Sequence, residues 1–409
     1  MHRTSSHAEH GEERVAGFLR RARRAAAPRW KTFGALVGAS IVVVGISAWP
    51  FTKAHLQAVA VLREVAGQPI PWIARDLTVA VTTEDLSIPI ETAKGNQQVR
   101  ARLYTPASKP DAPAMVIFHG VHHLGIDEPR LMYFAAAMAS CGIRVLTPEL
   151  PDIKDYRVRQ DSVRTIGESV KWFAVRTGGP VGVMGLSFSG GLALVSAANP
   201  LYHPDFKFVF AVGSQDSMDR VSQYYQTGRD VRPDGTVEVL PAHEYGPLVL
   251  EYEHLEDFIP RRDLGPVRAV LQAHLYEDKA AEAEASLELN EVQKRETLEL
   301  MDATSPVTRA RIAAVTAKHT AELPGLSPLG RLQTLSTPVY LLHGEADNII
   351  PSAETLWMAS ELQSDDLKAM LVSPVLSHLN LDGPKPGAMD QWRLVHFFAL
   401  IMRAAEAPA

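Results

Sequence analysis

The stretch V181-G-V-M-G-L-S-F-S-G-G191 carries a short apolar run into a cluster of glycines and serines, and the apolar run L192-A-L-V-S-A-A198 follows directly. Passage from strand to helix through small residues makes a sharp turn. The side chain at its apex projects above the sheet, and the helix that follows supplies free N–H donors. Two serines compete for that apex. If Ser187 occupies it, the small flanking residues are Gly185 and Ser189; if Ser189 does, they are Ser187 and Gly191. Strand character ends at Met184, so Gly185 opens the turn, Ser187 takes the apex and Ser189 already falls in the first helical turn. Ser187 is the preferred nucleophile candidate. The same composition also suits a loop without chemistry, so the rest of the chain has to decide.

Outward from this stretch the pattern alternates. Short β-rich runs at L77-T-V-A-V81 and V99-R-A-R-L-Y104 precede A114-M-V-I-F118, which is apolar throughout, as expected of a strand covered on both faces. A helical run over residues 131–140, closed by Cys141-Gly142, leads to the strand I143-R-V-L-T147. A second helix over residues 161–174 leads through Thr177, Gly178, Gly179 and Pro180 to the strand V181-G-V-M184, and F206-K-F-V-F-A-V212 follows as another strand. Strands alternating with helices of this size predict a mainly parallel sheet with helices on both faces.

The alternation stops from Ser214 to Gly330, where polar loops with prolines give way to a charged helical stretch, residues 276–300, whose interleaved acids and bases suit a solvated face and show no metal spacing. It resumes with strands at T337-P-V-Y-L-L-H343 and L367-K-A-M-L-V372 and a closing helix from Met389 to Ala404. The expected organisation is an α/β core at 76–213 and 331–409, interrupted by a mostly helical insertion at 214–330.

Of the 409 residues, 46% are hydrophobic and 22% charged, as in an ordinary globular chain, and the net charge of -6 gives no reason to expect a nucleic-acid partner. The single cysteine, Cys141, excludes an intrachain disulfide framework and a cysteine metal cluster. Residues 33–49 form an uncharged apolar run near the lower limit for crossing a bilayer as a helix. Arg14, Arg20, Arg21, Arg23, Arg24, Arg29 and Lys31 precede it, and only Lys53 follows closely. The positive-inside bias then places a basic arm, residues 1–32, in the cytoplasm and the body of the protein outside, with residues 33–49 as a signal-anchor and 50–75 as a juxtamembrane connector. Ala48 leaves signal cleavage open, but Ile46 fits an A-x-A site poorly.

Three further segments carry possible chemistry. The strand ending at Phe118 runs into His119, Gly120 and Val121. The strand ending at His343 continues as G-E-A-D-N-I-I-P, from Gly344 to Pro351, and the strand ending at Val372 is followed by S373-P-V-L-S-H378. With G185-L-S-F-S189, these resemble, in order, the α/β-hydrolase family: its His-Gly loop, its H-G-x-x-D-x-x-V/I-P signature and its terminal histidine. The nucleophile motif departs from the family's G-x-S-x-G only at its last position, where Ser189 replaces glycine. The resemblance runs from about Val99 to Ala404 without the insertion.

It implies an α/β-hydrolase fold with Ser187, Asp347 and His378 as a catalytic triad, and with the backbone N–H groups of Val121 and Phe188 as the oxyanion hole. Asp216, just past the strand ending at Val212, is a second candidate acid. His343, within a strand, and His396, in the final helix, are the weaker candidates for the base. His122 and His123 lack a third ligand at a known spacing, so no metal is expected, and the family mechanism needs no cofactor. The implied activity is a membrane-anchored serine hydrolase cleaving an ester of a small or lipid-like acyl group, the insertion forming a cap or lid that sets substrate choice. Peptidases, thioesterases and acyltransferases share the triad, and a tethered binding module on a hydrolase scaffold is the reading from another class.

Overall fold

A strand as apolar as A114-M-V-I-F118 is accommodated only where both faces of its sheet are covered. The computed structural model, which describes residues 46–92, 95–376 and 387–408, builds such a sheet. Its strands are β1 (Val81–Thr92), β2 (Gly95–Pro106), β3 (Ala114–Phe118), β4 (Arg144–Pro148), β5 (Val181–Leu186) and β6 (Phe206–Val212). After a separate antiparallel hairpin of β7 (Arg229–Val231) and β8 (Val237–Val239), it is completed by β9 (Val339–Gly344) and β10 (Leu367–Ser373). The order across the sheet is β1-β2-β4-β3-β5-β6-β9-β10. Only β2 pairs antiparallel, with β1 and β4; every other pairing is parallel.

Before the sheet come α1 (residues 54–65) and α2 (Trp72–Arg75), and within the alternation α3 (Pro129–Ser140), α4 (Pro151–Lys154), α5 (Gln160–Thr177) and α6 (Phe188–Ala197). The insertion between β6 and β9 holds α7 (Met218–Thr227), α8 (Tyr245–Glu253), α9 (Leu255–Phe258), α10 (Leu264–Leu275), α11 (Lys279–Leu287), α12 (Glu291–Leu300) and α13 (Pro306–Lys318). Beyond β9 follow α14 (Ala353–Glu361) and α15 (Ala388–Glu406).

Alternation along the strands divides the core. Val116, Phe118, Val183 and Val209 pack with α5, α6 and the insertion, while Met115, Ile117, Met184, Phe208 and Phe210 pack with α1, α3 and α15. Each large side chain buried this way contributes roughly 1.5–3 kcal/mol. Helix α5 shows why the sequence complies: Ile166, Val170, Phe173 and Ala174 recur at helical spacing on its buried side, and Gly178 at φ 81° ends it with an N–H bond to the Ala174 carbonyl.

The chain divides into two units, Met1–Lys53 and Ala54–Ala409. Of the first, only residues 46–53 are described; they are helical, and Ile46, Trp49 and Phe51 are exposed. Most of the apolar run, residues 33–45, lies outside the described residues. Among those that are described, no helix is long and apolar enough to cross a membrane.

Several elements differ from the sequence-based expectation. The first strand begins at Val81, where the expected run 77–81 ends, and extends through the polar segment to Thr92. As an edge strand it tolerates Pro89 and needs only alternate apolar residues, Ile88 and Ile90, on its buried side. The hairpin β7–β8 turns at Pro233-Asp234-Gly235, with Gly235 at φ 83°. Residues 54–65, read from sequence as part of a connector, bury Ala54, Ala58, Ala60 and Val61 in the core.

A buried ionic knot joins the insertion to the core. The Arg220 guanidinium bonds Asp216 Oδ2 at 2.5 Å and Glu354 Oε1 at 2.9 Å, and lies over the Trp357 ring. Glu354 Oε2 in turn accepts the backbone N–H groups of Asp216 and Ser217. Burial pushes the Asp216 carboxyl up to about 7 against the opposing pull of Arg220. Removing one partner of a buried ion pair leaves an uncompensated charge, at a cost of about 3–5 kcal/mol. Arg220→Met is therefore expected to lose stability of about that size in urea unfolding at pH 8, and less at pH 5, where Asp216 carries a proton.

Candidate active site

The turn between β5 and α6 is tight because two backbones nearly touch. A Cβ on Gly185 would stand 2.5 Å from the Gly190 Cα, and one on Gly190 would stand 2.0 Å from Ser214 Oγ. At the apex Ser187 is held at φ 55° and ψ -135°, a conformation that costs a non-glycine residue on the order of 1–3 kcal/mol. Its N–H donates to the Val212 carbonyl at 2.8 Å and its carbonyl accepts from Gly190 N–H at 3.0 Å. The side chain is half-buried. Ser189 instead is 0% exposed, and its hydroxyl donates to the His119 carbonyl at 2.6 Å. The two serines thus have different tasks: Ser189 ties the turn to the loop after β3.

That loop is fixed by a buried imidazole. Leu150 N–H donates to His119 Nε2 at 2.9 Å, so the proton sits on Nδ1, which donates to the Gly120 carbonyl at 2.8 Å. Because the peptide is planar and trans, holding the Gly120 carbonyl toward the imidazole turns the Val121 N–H of the same peptide the opposite way. Complete burial pushes His119 down to about 4, so it stays neutral. Gly120 packs against the elbow, where a Cβ would lie 3.3 Å from that of Ser187. The Val121 carbonyl accepts from Tyr245 Oη of the insertion at 2.8 Å. Phe188 opens α6, and the first N–H groups of a helix lack intrahelical acceptors.

After β9 the chain turns so that Asp347, 1% exposed, accepts on Oδ1 from the N–H groups of Ile349 at 3.0 Å and Ile350 at 3.1 Å. Its Oδ2 lies 3.5 Å from His343 Nε2. The insertion grips this loop too, since the Asn348 carbonyl accepts from His243 N–H and from Tyr224 Oη.

Strand register brings these loops to one edge. Phe118 pairs with Gly185, Leu186 with Val212, Val212 with Leu342 and Gly344 with Ser373, so the loops leave the carboxyl ends of adjacent parallel strands. Two strand spacings, about 10 Å, separate β5 from β9, and such an edge is where open α/β sheets bind ligands. His378 lies outside the described residues. The segment leading to it leaves β10 beside the Asp347 loop, where a Cβ on Gly344 would meet the Leu376 carbonyl at 2.6 Å.

The competing residues are engaged elsewhere. His343 is fully buried; its Nε2 donates to the Ile350 carbonyl at 2.8 Å and its Nδ1 accepts from Thr355 Oγ1 at 2.7 Å. His396 lies on α15, with Nδ1 3.0 Å from His55 Nε2. Asp216 belongs to the Arg220 knot. His122 stacks on His123, which stacks on Tyr276 of the insertion. Sequence reading missed Tyr245 and the structural tasks of His119 and Ser189, because only the contact across distant segments reveals them.

No protein-family model and no curated protein sequence matches the chain. Solved structures similar to it include brefeldin A esterase, a bacterial homologue of human hormone-sensitive lipase, at 16% identity over 87% of this chain and 83% of the other, TM-score 0.42. An esterase of Pyrobaculum calidifontis shows 16% identity over 87% and 91%, TM-score 0.42. An acylaminoacyl peptidase of Pyrococcus horikoshii shows 15% identity over 71% of this chain and 37% of its own length, TM-score 0.39.

The neutral His119 makes stability depend on pH. Between its ordinary value of 6.5 and about 4 the unfolded chain takes up a proton there that the folded chain refuses. Stability from this group is complete above pH 6.5 and is lost as pH falls toward 4, by about 3 kcal/mol. His119→Gln, whose carbonyl still accepts from Leu150 N–H, is expected to show a correspondingly flatter fall between pH 6.5 and 4 in denaturant unfolding.

Proposed function

We propose that the chain is a serine hydrolase that cleaves an ester through an acyl-enzyme. The observation that carries this is Ser187, held in a strained conformation at the head of α6, at the same sheet edge as the buried, hydrogen-bonded carboxylate of Asp347. A serine placed there for packing alone would gain nothing from the strain.

In the proposed mechanism His378 takes the proton as Ser187 Oγ attacks the ester carbonyl, and the Val121 and Phe188 N–H groups bind the oxyanion. Collapse of the tetrahedral intermediate breaks the bond to the alcohol, which leaves with the proton from His378. Water, activated by the same imidazole, then releases the acid. Asp347 holds the imidazole tautomer and stabilises its charge. The insertion acts as a cap, and the apolar cavity it forms beside Phe188, lined by Met218, Val221, Val249 and Leu250, supports an apolar acyl group. Residues 33–49 serve as a signal-anchor that leaves the catalytic domain outside the cytoplasmic membrane, a reading supported by the basic residues that precede the apolar run.

Labelling with a fluorophosphonate probe tests the core of this proposal. Wild type and Ser189→Ala are expected to label and Ser187→Ala is not; hydrolysis of chromogenic esters is expected to fall by about 10⁴-fold or more in Ser187→Ala. A folded wild type that takes no label would make the chain a binding module. Turnover of peptide or thioester substrates in preference to esters of varied chain length would move it to another member of the same reaction class. For the anchor, external protease added to cells stripped of any outer envelope, with the cytoplasmic membrane intact, is expected to digest the domain from Ala54 onward; full protection would reverse the orientation.

A further inference from the structure

Far along the chain from the Ser187 edge, the insertion gathers His254, Asp257 and His319. His254 sits at the junction of α8 and α9, Asp257 on α9 and His319 at the end of α13. One potential ligand atom from each lies within 4.8 Å of the others. His319 Nε2 is 2.8 Å from Asp257 Oδ2, and the rings of His254 and His319 stack with centroids 4.0 Å apart.

The surroundings hold Asp257 and His319 in place. In the metal-free protein both ring nitrogens of His319 donate, Nδ1 to Glu322 Oε1 at 2.9 Å and Nε2 to Asp257 Oδ2 at 2.8 Å, so loss of the Nε2 proton frees a lone pair for an ion while Glu322 keeps hold of Nδ1. The Lys318 ammonium engages Asp257 Oδ1 and leaves Oδ2 for a second partner. Carboxylates that fix a ligating histidine in this way are regular companions of bound metals. His254 is the telling member, because among the described residues no protein hydrogen bond reaches either of its ring nitrogens. An ion-pair cluster needs Asp257, His319, Glu322 and Lys318; it has no use for a second imidazole stacked on the first.

We propose that His254, Asp257 and His319 form a site for a divalent transition-metal ion of the zinc type. Two imidazoles and one carboxylate suit Zn²⁺ or Co²⁺, with ligand bonds of about 2.0–2.2 Å and a fourth position left for water or another ligand. The ligand atoms already lie within 4.8 Å of one another, and because the two rings stack in the metal-free protein, binding turns the His254 ring until one of its nitrogens faces the ion. When the metal binds, it takes the place of the proton shared by His319 Nε2 and Asp257 Oδ2, and that proton is released to solvent. His254, His319 and Glu322 are among the residues that line the cavity beside Phe188, so the ion staples helices that wall this cavity. Its role is structural, and the site stands whether or not Ser187 is a nucleophile.

The test is calorimetric titration of Zn²⁺, and of Co²⁺ with its visible absorption followed, into full-length, detergent-solubilised, metal-stripped protein carrying no histidine tag. One ion per chain is expected, with Kd in the micromolar range or tighter, a rise in Tm, and proton release seen as an enthalpy that changes with the buffer. His254→Ala leaves the Asp257–His319–Glu322 bonds in place and so keeps the fold; it is expected to weaken binding at least 100-fold, as is Asp257→Asn. Absence of binding by wild type, or binding that His254→Ala and Asp257→Asn leave unchanged, overturns the proposal.

Discussion

The candidate site depends on how closely α6 can approach β5. Ser187 reaches its strained conformation only because Gly185 and Gly190 present no side chains where the helix axis meets the strand, and a single Cβ at either would force the two backbones apart. The strain of about 1–3 kcal/mol is sustained by the bonds on both sides of the residue, to Val212 and from Gly190, and by the burial of all ten residues of α6. An apolar helix with no solvated face cannot slide outward to relieve the turn, because that would expose Leu192, Leu194 and Val195. Packing of the core therefore enforces the local geometry, which in turn sets the direction of the Ser187 side chain.

The insertion is bound into the site at several points. Tyr245 bonds the Val121 carbonyl, Tyr224 and the His243 N–H bond the Asn348 carbonyl, and Gln215 Nε2 links the carbonyls of Phe188 and Leu326. The Arg220 knot adds charge pairs at its root. An insertion joined to the turn at Ser187, the loop after β3 and the Asp347 loop at once cannot rearrange as a whole without disturbing all three. The hairpin β7–β8 is tied down as well, through Trp357 Nε1, which donates to the Val231 carbonyl, and through the buried Asp230.

Much of the core was legible in the sequence because parallel strands buried on both faces leave continuous apolar runs. V181-G-V-M184 and A114-M-V-I-F118 were legible for that reason. β1 was not, since an edge strand with one solvated side alternates weakly and here contains Pro89. The Asp347 loop could be located because the segment from His343 to Pro351 keeps the spacing of the H-G-x-x-D-x-x-V/I-P signature that it resembles. The role of Ser189 was hidden: its partner is a backbone carbonyl 70 positions away, and carbonyls leave no trace in sequence. The same applies to the cluster in the insertion, where Asp257 and His319 are 62 positions apart and no local spacing announces them.

His119 shows how one buried group can serve both fold and site. Its Nε2 closes the end of β4 through Leu150, while its Nδ1 holds the Gly120 carbonyl. Both bonds require the neutral ring in a single tautomer, and burial enforces that state. Since the Gly120 carbonyl and the Val121 N–H belong to one rigid peptide, fixing the first aims the second. The Ser189 hydroxyl, bonded to the carbonyl of His119 itself, then sets the distance between this peptide and the elbow. Serine at that position does what glycine cannot: it couples the two backbone segments that carry the Val121 and Phe188 N–H groups.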